Sequence, residues 1–474
     1  MKYKKILTLL FTAFVLLGCN NQSVFIKNIE IKTKPDKTNY IEGEHFVPDG
    51  LTISVNKSDG NSEIVEYTSH QEDFSFIPDL STPLEINTNQ FVIYKKDFLM
   101  RIDIIVDEAI LPSKVNFVIK DIEITSIHTA LQEQYALCDD PDKFFEDNFN
   151  GDNLFGRKNL STPNYIDIKY DITEDGNVPG EYFVYSSETS DFKSFYKHDG
   201  DINHTALYNL KIDTQYYCKV VAKYRESVFE NDQIIEFKTD KTTIRNIYVD
   251  GVENVRDLGG YVNEEGKLIK QGLIYRTAQF NYNHDNSNAI KSEPSEKGKE
   301  VLLNQLKIKT EIDVRDKYKS SGDETDGLSV SPLGESVNYH NLSMRFGGSN
   351  VITNDYNKEA IKTFLEICAD ENSYPIAFHC VRGTDRTGAL AYVLGALCGM
   401  SELDLLKDYL FSNFSNIGAS VYIKSDAIST KYVQDIRNEE GNSISEKTKN
   451  YLIKIIGVSP DTLNKIINIM VEDL

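Results

Sequence analysis

The sequence predicts a multidomain chain with two N-terminal all-β sandwiches followed by an α/β domain. Up to residue 241, short runs with apolar residues at every second position lie between turn signals, which is typical of sandwich strands. Between residues 374 and 397, a short apolar strand, a glycine-containing loop and an apolar helical stretch follow one another. The chain has 474 residues, of which 40% are hydrophobic, so it has enough apolar side chains for several cores.

The first predicted sandwich spans residues 24–120. Residues 51–55 and 100–104 alternate between apolar and polar side chains. Pro48-Asp49-Gly50 and Ser58-Asp59-Gly60 supply turns on either side of the first of these strands. The pattern resembles the bacterial immunoglobulin-like domains of surface proteins.

The second predicted sandwich spans residues 121–241. Strand-like runs occupy residues 165–170 and 181–185, and residues 234–239 would close the domain. Leu210, Thr214 and Tyr216 have the spacing of a tyrosine corner, so the domain resembles the fibronectin type III fold. The acidic residues 129–160 fit this fold poorly and are expected to hold a short helix and an insertion. We expect both sandwiches to act as spacers, with partner binding as the alternative.

The N-terminus has the pattern of a bacterial lipoprotein signal. Lys2, Lys4 and Lys5 precede an apolar stretch at residues 6–17, which is too short for an ordinary membrane span. Leu16-Leu17-Gly18-Cys19 resembles a lipobox, which implies a signal peptide at residues 1–18, lipid on Cys19 and a linker at residues 19–23. The chain is therefore predicted to be exported and lipid-anchored in the cell membrane, facing the extracytoplasmic side. The alternative is a signal peptide that is cleaved elsewhere.

Charge and cysteine spacing exclude several classes of function. The formal net charge is −22, which argues against nucleic-acid binding and against an electrostatic grip on anionic lipid. The six cysteines show no close-spaced metal-binding pattern, and no cofactor or metal is expected. Cys368 and Cys398 lie in apolar helical runs and are predicted to be core thiols.

The chemistry is concentrated in the ten residues 379–388, which read His-Cys-Val-Arg-Gly-Thr-Asp-Arg-Thr-Gly. The pKa of a free cysteine thiol is about 8.5, and a helix N-terminus with nearby cations lowers this pKa. Loop N–H groups before a helix bind a phosphate dianion, and an arginine clamps its oxygens through two donors. The predicted site residues are Cys380 as nucleophile, Arg386 as clamp, His379 and Thr387 as supports of the thiolate, and the loop residues Val381, Arg382, Gly383, Thr384 and Gly388 around the phosphate.

An ordinary strand–loop–helix with a buried cysteine is the competing interpretation of this run. The general acid is a separate question, because the chain has no Trp and so lacks a Trp-Pro-Asp loop. Asp385 lies beside Arg386 and is the first candidate for protonating the leaving oxygen. Asp313 and Asp316 are the alternatives, with ion pairing as the simpler role for either.

From about residue 245 to the C-terminus, the chain resembles the atypical bacterial tyrosine/serine protein phosphatase family. The loop of that family usually reads His-Cys-x-x-Gly-Lys-Asp-Arg-Thr-Gly. Its other motifs resemble, in order, residues 254–261, 272–278, 312–315 and 408–413. The resemblance implies an α/β cysteine-dependent phosphatase domain at residues 245–474, with Cys380 as nucleophile, Arg386 as phosphate clamp and Asp385 as acid.

Two positions depart from the family pattern. Thr384 stands where the family has Lys, and Val255 stands where it has Phe. The lysine adds positive charge for substrates with several phosphates, so its loss argues against phosphoinositide activity, although Arg382 could replace part of that charge.

Arginine placement independently supports a phosphate site. The chain has 11 Arg, of which six lie between residues 256 and 386, and Arg is the better planar partner for phosphate. Arg256, Arg276 and Arg315, with the adjacent Asp257, are therefore predicted to line the pocket. The alternative is structural ion pairing of these arginines with Asp257, Asp313 or Asp316.

These observations predict a phosphatase that acts on phosphate monoesters through a cysteinyl-phosphate. Phosphotyrosine is the first substrate choice, and phosphoserine, phosphothreonine or lipid phosphates follow. The alternatives are an inositol-polyphosphate or phosphoinositide phosphatase, and a surface protein that binds phosphorylated ligands without turnover. The family resemblance suggests lids over the pocket in the polar stretches at residues 281–300, 317–336 and 412–442. Plain surface insertions are equally consistent with the composition of these stretches.

Overall fold

The computed structural model describes most of the chain as two compact units. The described residues are 24–120, 122, 126–149, 160–282, 284, 290–316, 328–346, 351–416 and 422–474. The first unit comprises the described residues up to Lys114 together with Glu174–Pro179, and the second comprises Val115–Thr173 and Gly180–Leu474. The predicted signal peptide, Cys19 and the linker lie outside the described residues.

The first unit is built from β-strands. Ile53 and Val55 face its core while their neighbours are half-buried, as the alternating sequence predicts. Three small sheets with the orders β1-β3-β4, β2-β8 and β5-β6-β7 surround this core. The strands are β1 (Ile26–Thr33), β2 (Asn39–Ile41), β3 (Thr52–Lys57), β4 (Ser62–Glu66), β5 (Phe74–Ile77), β6 (Gln90–Lys95), β7 (Phe98–Asp103) and β8 (Ile105–Asp107).

The second unit begins with another group of strands. They form one sheet of order β13-β10-β9 and one of order β12-β11-β14-β15, with β16 also paired to β14. The tyrosine corner is present, because the phenol oxygen of Tyr216 accepts a hydrogen bond from the Lys211 N–H at 2.8 Å. We call these strands the β module: β9 (Val115–Ile119), β10 (Ile166–Glu174), β11 (Glu181–Ser187), β12 (Tyr196–Gly200), β13 (His204–Leu207), β14 (Gln215–Tyr224), β15 (Ser227–Glu230) and β16 (Ile235–Lys238).

Two helices lie between β9 and β10, where the sequence predicts a short helix and an insertion. They are α1 (Ala130–Leu137) and α2 (Pro141–Phe149). Thr129 caps α1 through a capping box with Gln132. Their apolar side chains do not join the β module; Tyr135, Phe145 and Phe149 belong to the core of the C-terminal domain. This helix pair is therefore a structural part of a domain that begins about a hundred residues later in the sequence.

The C-terminal domain is organised around a five-stranded sheet of order β17-β19-β22-β20-β21. Within this sheet, β19, β22, β20 and β21 pair in parallel, and β17 pairs antiparallel with β19. A two-residue pairing of β18 with β23 lies apart from it. The strands are β17 (Arg256–Asp257), β18 (Leu268–Ile269), β19 (Ile274–Thr277), β20 (Thr310–Asp313), β21 (Asn338–Asn341), β22 (Ile376–His379) and β23 (Val471–Glu472).

Seven helices of the described chain complete this domain. All residues of β22 are buried, as expected of a central parallel strand, and α5 is buried from Arg386 onward. None of the helices in the described residues is long and apolar enough to cross a membrane. The helices are α3 (Glu296–Glu300), α4 (Lys358–Cys368), α5 (Asp385–Leu397), α6 (Glu402–Leu410), α7 (Gln434–Asn438), α8 (Ile444–Tyr451) and α9 (Pro460–Met470).

Candidate active site

The candidate site is the loop between the central strand β22 and the buried helix α5. Cys380 directly follows β22, and α5 begins at Asp385. The loop therefore consists of residues 380–384 only. Cys380 is buried, with 4% of its surface exposed. In the described part of the chain, the backbone N–H groups of residues 381–384 donate to no protein acceptor. These groups at a helix N-terminus remain for an anion.

Gly383 is required by the shape of this loop. Its φ is +69°, in the left-handed region that glycine adopts without a steric penalty. A Cβ at this position would lie 2.3 Å from the backbone oxygen of Thr277 at the end of β19. The loop therefore packs directly on the neighbouring strand, and only glycine allows this approach.

The carbonyl groups of the loop are held from outside by two polar side chains. The Asn254 amide donates to the oxygen of Arg382 at 2.9 Å. The Arg276 guanidinium donates to the oxygen of Gly383 at 2.7 Å and to that of Thr384 at 3.4 Å. Since each peptide group carries its N–H and C=O on opposite sides, fixing these carbonyls outward leaves the N–H groups on the side of the pocket.

One carboxylate anchors this support. Asp408 of α6 accepts from the Arg256 Nε at 2.8 Å and from the Arg276 Nη1 at 2.5 Å. Arg256 also donates to Asn254 at 2.5 Å. Both arginines are fully buried. The predicted pocket arginines Arg256 and Arg276 thus act behind the loop, and their partner is Asp408 rather than the neighbouring acids that the sequence offered.

The cluster keeps one positive charge in excess beneath the loop. Burial and the adjacent Arg276 lower the pKa of Arg256 to about 10, which leaves it charged at neutral pH. Burial raises the pKa of Asp408, but the two guanidinium groups outweigh burial and hold this pKa below its usual value. Two cations therefore share one anion close to the loop, and this raises the positive potential where an anion would bind.

Arg386 and Thr387 occupy the first turn of α5. Arg386 is buried and donates from Nη1 to the oxygen of Met344 at 3.1 Å. The hydroxyl of Thr387 is buried and has no hydrogen-bond partner within the described chain. The predicted hydrogen bond from this hydroxyl to the sulfur of Cys380 stays a prediction. Gly388 allows close packing, because a Cβ there would lie 2.7 Å from the Tyr409 ring.

His379 directly precedes Cys380 and lies in a buried polar network. Its Nε2 is 3.0 Å from the Glu311 carboxylate, and its Nδ1 is 3.1 Å from the oxygen of Cys380. The Phe280 ring packs against the imidazole at a centroid distance of 4.9 Å. Ser331 donates to the second oxygen of Glu311. Because both ring nitrogens are engaged, the imidazole fixes the backbone at the start of the loop.

Asp385 is the first residue of α5 and is half-buried. Its Oδ1 accepts a hydrogen bond from the phenol of Tyr432 at 2.9 Å and a longer one from Tyr409 at 3.4 Å. Val381 on the same loop is half-buried, Arg382 is exposed and Thr384 is buried. Asp385 therefore lies beside the loop in a defined orientation, as a proton donor requires.

Asp313 and Arg315 form a buried ion pair. The Arg315 Nη2 donates to Asp313 at 2.7 Å, and both side chains have no exposed surface. Tyr339 donates to the same carboxylate at 3.0 Å. Burial raises the pKa of Asp313, but Arg315 and His379 outweigh burial and bring this pKa to about 2. Asp313 is thus ionised at neutral pH and is no proton donor, and the structure gives Arg315 the ion-pairing role.

Asp316 and Asp257 also serve the framework. Asp316 is fully buried and accepts from the Ser343 hydroxyl at 3.1 Å. Asp257 binds Arg245 at 2.7 Å and accepts from the N–H groups of Gly259 and Gly272 at 2.9 and 2.6 Å. Asp257 was predicted to line the pocket together with Arg256, but its carboxylate is occupied by these three structural contacts.

The C-terminal part of the chain is similar to a known protein family. Residues 247–473 match the model of the tyrosine phosphatase family. This match covers slightly less than half of the chain.

Individual relatives of this region are distant. A protein of Cupriavidus necator described as a tyrosine-protein phosphatase is 27% identical over 185 residues, which are 35% of this chain. The matched region spans 63% of that relative's length. Among solved structures, the core catalytic domain of the PP-IP phosphatase SIW14 from S. cerevisiae is 18% identical, with a TM-score of 0.24, over 38% of this chain and 89% of its own. Titin domains A168–A170 are 11% identical, with a TM-score of 0.19, over 45% of this chain and 66% of their own.

Several residues of the C-terminal domain that lie around the loop were not predicted as site residues. Asn254 and Asp408 lie inside stretches that resemble family motifs, so the family pattern contained the signal that could have found them. Glu311, Tyr409 and Tyr432 have no spacing signal that links them to the loop. Among the described residues, no group of three or more His, Cys, Asp or Glu side chains is arranged to hold a metal ion.

Proposed function

We propose that the chain is a cysteine-dependent phosphatase that hydrolyses phosphate monoesters, with protein phosphotyrosine as its first substrate class. The observation that carries the proposal is the loop at residues 380–386. It combines a buried thiol, N–H groups without protein acceptors and an arginine in the first turn of a buried helix. This combination suits in-line attack of sulfur on phosphorus.

In the first step, the Cys380 thiolate forms a bond to phosphorus while the bond from phosphorus to the leaving oxygen breaks. The loop N–H groups and the Arg386 guanidinium stabilise the charge on the three equatorial oxygens. Asp385 gives its proton to the leaving phenol or alcohol. The products of this step are the free alcohol and the cysteinyl-phosphate.

In the second step, water attacks the phosphorus of the cysteinyl-phosphate and sulfur leaves as thiolate. The Asp385 carboxylate formed in the first step takes a proton from that water. Inorganic phosphate is released, and both Cys380 and Asp385 return to their starting states. All charge stabilisation in this scheme comes from protein groups.

An exposed aromatic side chain supports phosphotyrosine over alkyl phosphates. Phe346 is 40% exposed, and its ring centroid lies 6.3 Å from that of Tyr432. The phenol of Tyr432 donates to Asp385. An exposed ring close to the candidate acid suits contact with the phenyl ring of phosphotyrosine.

Exposed arginines favour polyphosphates as a second substrate class. Arg382 is exposed within the loop, and the Arg345 side chain is 47% exposed. The Arg345 Nε lies 3.8 Å from the Asp316 carboxylate, so Arg382 is the main source of charge for a second phosphate where Thr384 replaces the usual Lys. An inositol polyphosphate or phosphoinositide is therefore the competing substrate.

We also propose that the protein is exported and anchored by lipid on Cys19. The support is the order of three basic residues, twelve mostly apolar residues and Leu16-Leu17-Gly18-Cys19. Metabolic labelling with a palmitate analogue tests this proposal. The wild type should incorporate label and partition with membranes, whereas label in Cys19→Ala would contradict lipidation at this site.

The test of the catalytic proposal is turnover by the chain from residue 20 to 474 with the thiol reduced. The substrates are a phosphotyrosine peptide, a phosphoserine peptide, a phosphoinositide and inositol hexakisphosphate, each with a chelator present. We expect turnover that is fastest on phosphotyrosine and is lost in Cys380→Ser. If turnover is fastest on the inositol substrates, phosphotyrosine is not the first substrate class and the inositol phosphates take its place. Activity that survives Cys380→Ser would contradict the mechanism.

A further inference from the structure

Two phenols converge on a single oxygen of the candidate acid. Tyr432 and Tyr409 both donate to Oδ1 of Asp385, at 2.9 and 3.4 Å. In the described part of the chain, these are the hydrogen bonds to the Asp385 side chain. The carboxyl group therefore presents two unequal oxygens, of which Oδ1 is fixed by tyrosines and Oδ2 is not.

The phenols come from separate elements that pack against α5. Tyr409 lies in α6, and Tyr432 ends the helical turn Ala427–Tyr432. Both side chains are buried, and their rings meet edge to face at a centroid distance of 6.4 Å. Burial, and after it the charge of Asp385, raise the pKa of Tyr432 and of Tyr409, so both keep their protons at neutral pH.

We infer that Tyr432 is a positioning residue that determines which oxygen of Asp385 delivers the proton. An oxygen that accepts two phenolic hydrogens has little lone-pair capacity left for a proton of its own. The proton of Asp385 therefore resides on Oδ2, and the phenols fix the rotation of the carboxyl group so that Oδ2 faces the leaving group. This inference rests on the proposed function, since it gives Asp385 the role of acid.

The proton balance involves Asp385 alone. As the bond from sulfur to phosphorus forms and the bond from phosphorus to oxygen breaks, the Oδ2 proton moves to the leaving oxygen. The new carboxylate keeps both phenolic hydrogen bonds, which stabilise its charge. The phenols neither give nor take a proton, and Oδ2 accepts one from water when the cysteinyl-phosphate is hydrolysed.

This role predicts a dependence on the leaving group that a structural role does not. A nitrophenolate leaves without a proton, whereas a phenolate from phenyl phosphate or phosphotyrosine needs one in the transition state. Loss of the Tyr432 hydroxyl should therefore lower kcat/KM for phenyl phosphate and leave kcat/KM for 4-nitrophenyl phosphate nearly unchanged. The quantity compared is kcat/KM, because hydrolysis of the cysteinyl-phosphate is common to both substrates and contributes only to kcat.

The experiment compares the wild type with Tyr432→Phe on these two substrates, using the chain from residue 20 to 474. We expect kcat/KM for phenyl phosphate to fall about tenfold, a fraction of the whole contribution of a general acid. For 4-nitrophenyl phosphate, kcat/KM should change by less than about twofold. Tyr374→Phe is the matched control, because it removes another buried phenolic hydrogen bond, to the Cys368 oxygen at 2.6 Å, that does not involve Asp385.

An equal fall on both substrates would overturn the inference and make Tyr432 a packing residue. The proposed function would survive that result, since it depends on the loss of all turnover in Cys380→Ser. If circular dichroism shows that Tyr432→Phe does not fold, Tyr409→Phe carries the same test through the second phenol. An unchanged ratio of the two kcat/KM values in that variant would then overturn the inference.

Discussion

At the scale of single residues, the site depends on side chains that do not touch the substrate. The loop N–H groups are aimed by carbonyls that Asn254 and Arg276 hold from behind. Asp408 fixes both Arg276 and Arg256, although it lies more than 130 residues further along the chain. A phosphate site of this kind is therefore a property of the residues behind the loop as much as of the loop itself.

Asp408→Asn should weaken phosphate binding and catalysis together. The change leaves two buried guanidinium groups without their shared anion, which costs about 3–5 kcal/mol for a broken buried pair. We expect kcat/KM to fall at least about tenfold, because the loop carbonyls lose a fixed donor. Steady-state kinetics, inhibition by inorganic phosphate and thermal unfolding measure these effects.

Asp404→Asn on the same helix is the control for Asp408→Asn. Asp404 is half-buried and accepts from the Ser401 hydroxyl at 2.6 Å near the start of α6. The Asp404→Asn variant should lose only a small part of its stability, and its inhibition constant for inorganic phosphate should be unchanged. Equal kinetics in the two variants would show that Asp408 does not support the loop.

Gly383→Ala should abolish activity through the shape of the loop. The new Cβ would lie 2.3 Å from the Thr277 oxygen, and the residue would keep a φ of +69°. We expect kcat/KM to fall more than about a hundredfold, because the displaced loop no longer presents its N–H groups together. Kinetics together with circular dichroism separate this effect from unfolding.

Gly266→Ala tests backbone strain without the clash. Its φ is +77°, and a Cβ there would meet nothing within 4 Å. This variant should be less stable by about 1 kcal/mol and fully active. Normal activity in Gly383→Ala would mean that the loop can move away from β19.

At the scale of elements, the helix pair α1 and α2 is part of the catalytic domain. The Tyr135 hydroxyl donates to the oxygen of Lys407 at 2.8 Å, and Lys407 donates to the oxygen of Ala136 at 2.7 Å. The Tyr135 ring also packs against Phe414 at a centroid distance of 5.3 Å. Because Asp408 follows Lys407 directly, this helix pair supports the segment of α6 that anchors the loop at residues 380–384.

Tyr135→Ala should therefore destabilise the catalytic domain from outside the matched family region. Removing a fully buried aromatic side chain costs about 3–5 kcal/mol. Leu137→Ala is the control on the same helix, because Leu137 is 71% exposed and should cost less than about 0.5 kcal/mol. Denaturant unfolding that is monitored by the loss of phosphatase activity measures the stability of both variants. Similar unfolding midpoints for the two variants would contradict this role of α1.

At the scale of the whole molecule, the β module and the catalytic domain belong to one compact unit. Arg245 is buried and donates to the backbone oxygens of Asn209 and Leu210 at 2.6 and 3.1 Å while it pairs with Asp257. Gln271 exchanges two hydrogen bonds of 2.9 Å with the backbone of Ile212. Buried polar contacts of this kind are costly to break, so the β module is fixed on the domain that it precedes.

This arrangement predicts that residues 115–474 unfold in one transition. The β module and the catalytic domain should melt together, since separating them would expose Arg245 and leave its partners unpaired. Differential scanning calorimetry of this part of the chain measures the number of transitions. Two separate transitions would contradict the prediction.

The sequence by itself determined the local features of this protein. Strand alternation located β3 and β7, the spacing of Leu210, Thr214 and Tyr216 located the corner, and residues 379–388 located the strand–loop–helix of the site. These predictions succeed because periodicity, turn chemistry and a contiguous motif depend on residues that are neighbours in the chain.

Only the tertiary structure decided which distant residues meet at the loop. Arg256 and Arg276 had several acids as possible partners, and the packing of α6 selected Asp408. The hydrogen bond from Tyr432 to Asp385 joins residues that are 47 positions apart in the sequence. The hydrogen bond from Tyr135 of α1 to Lys407 joins residues that are 272 positions apart. Burial makes such pairings specific, because a charge or phenol removed from water must find a partner wherever the fold supplies one.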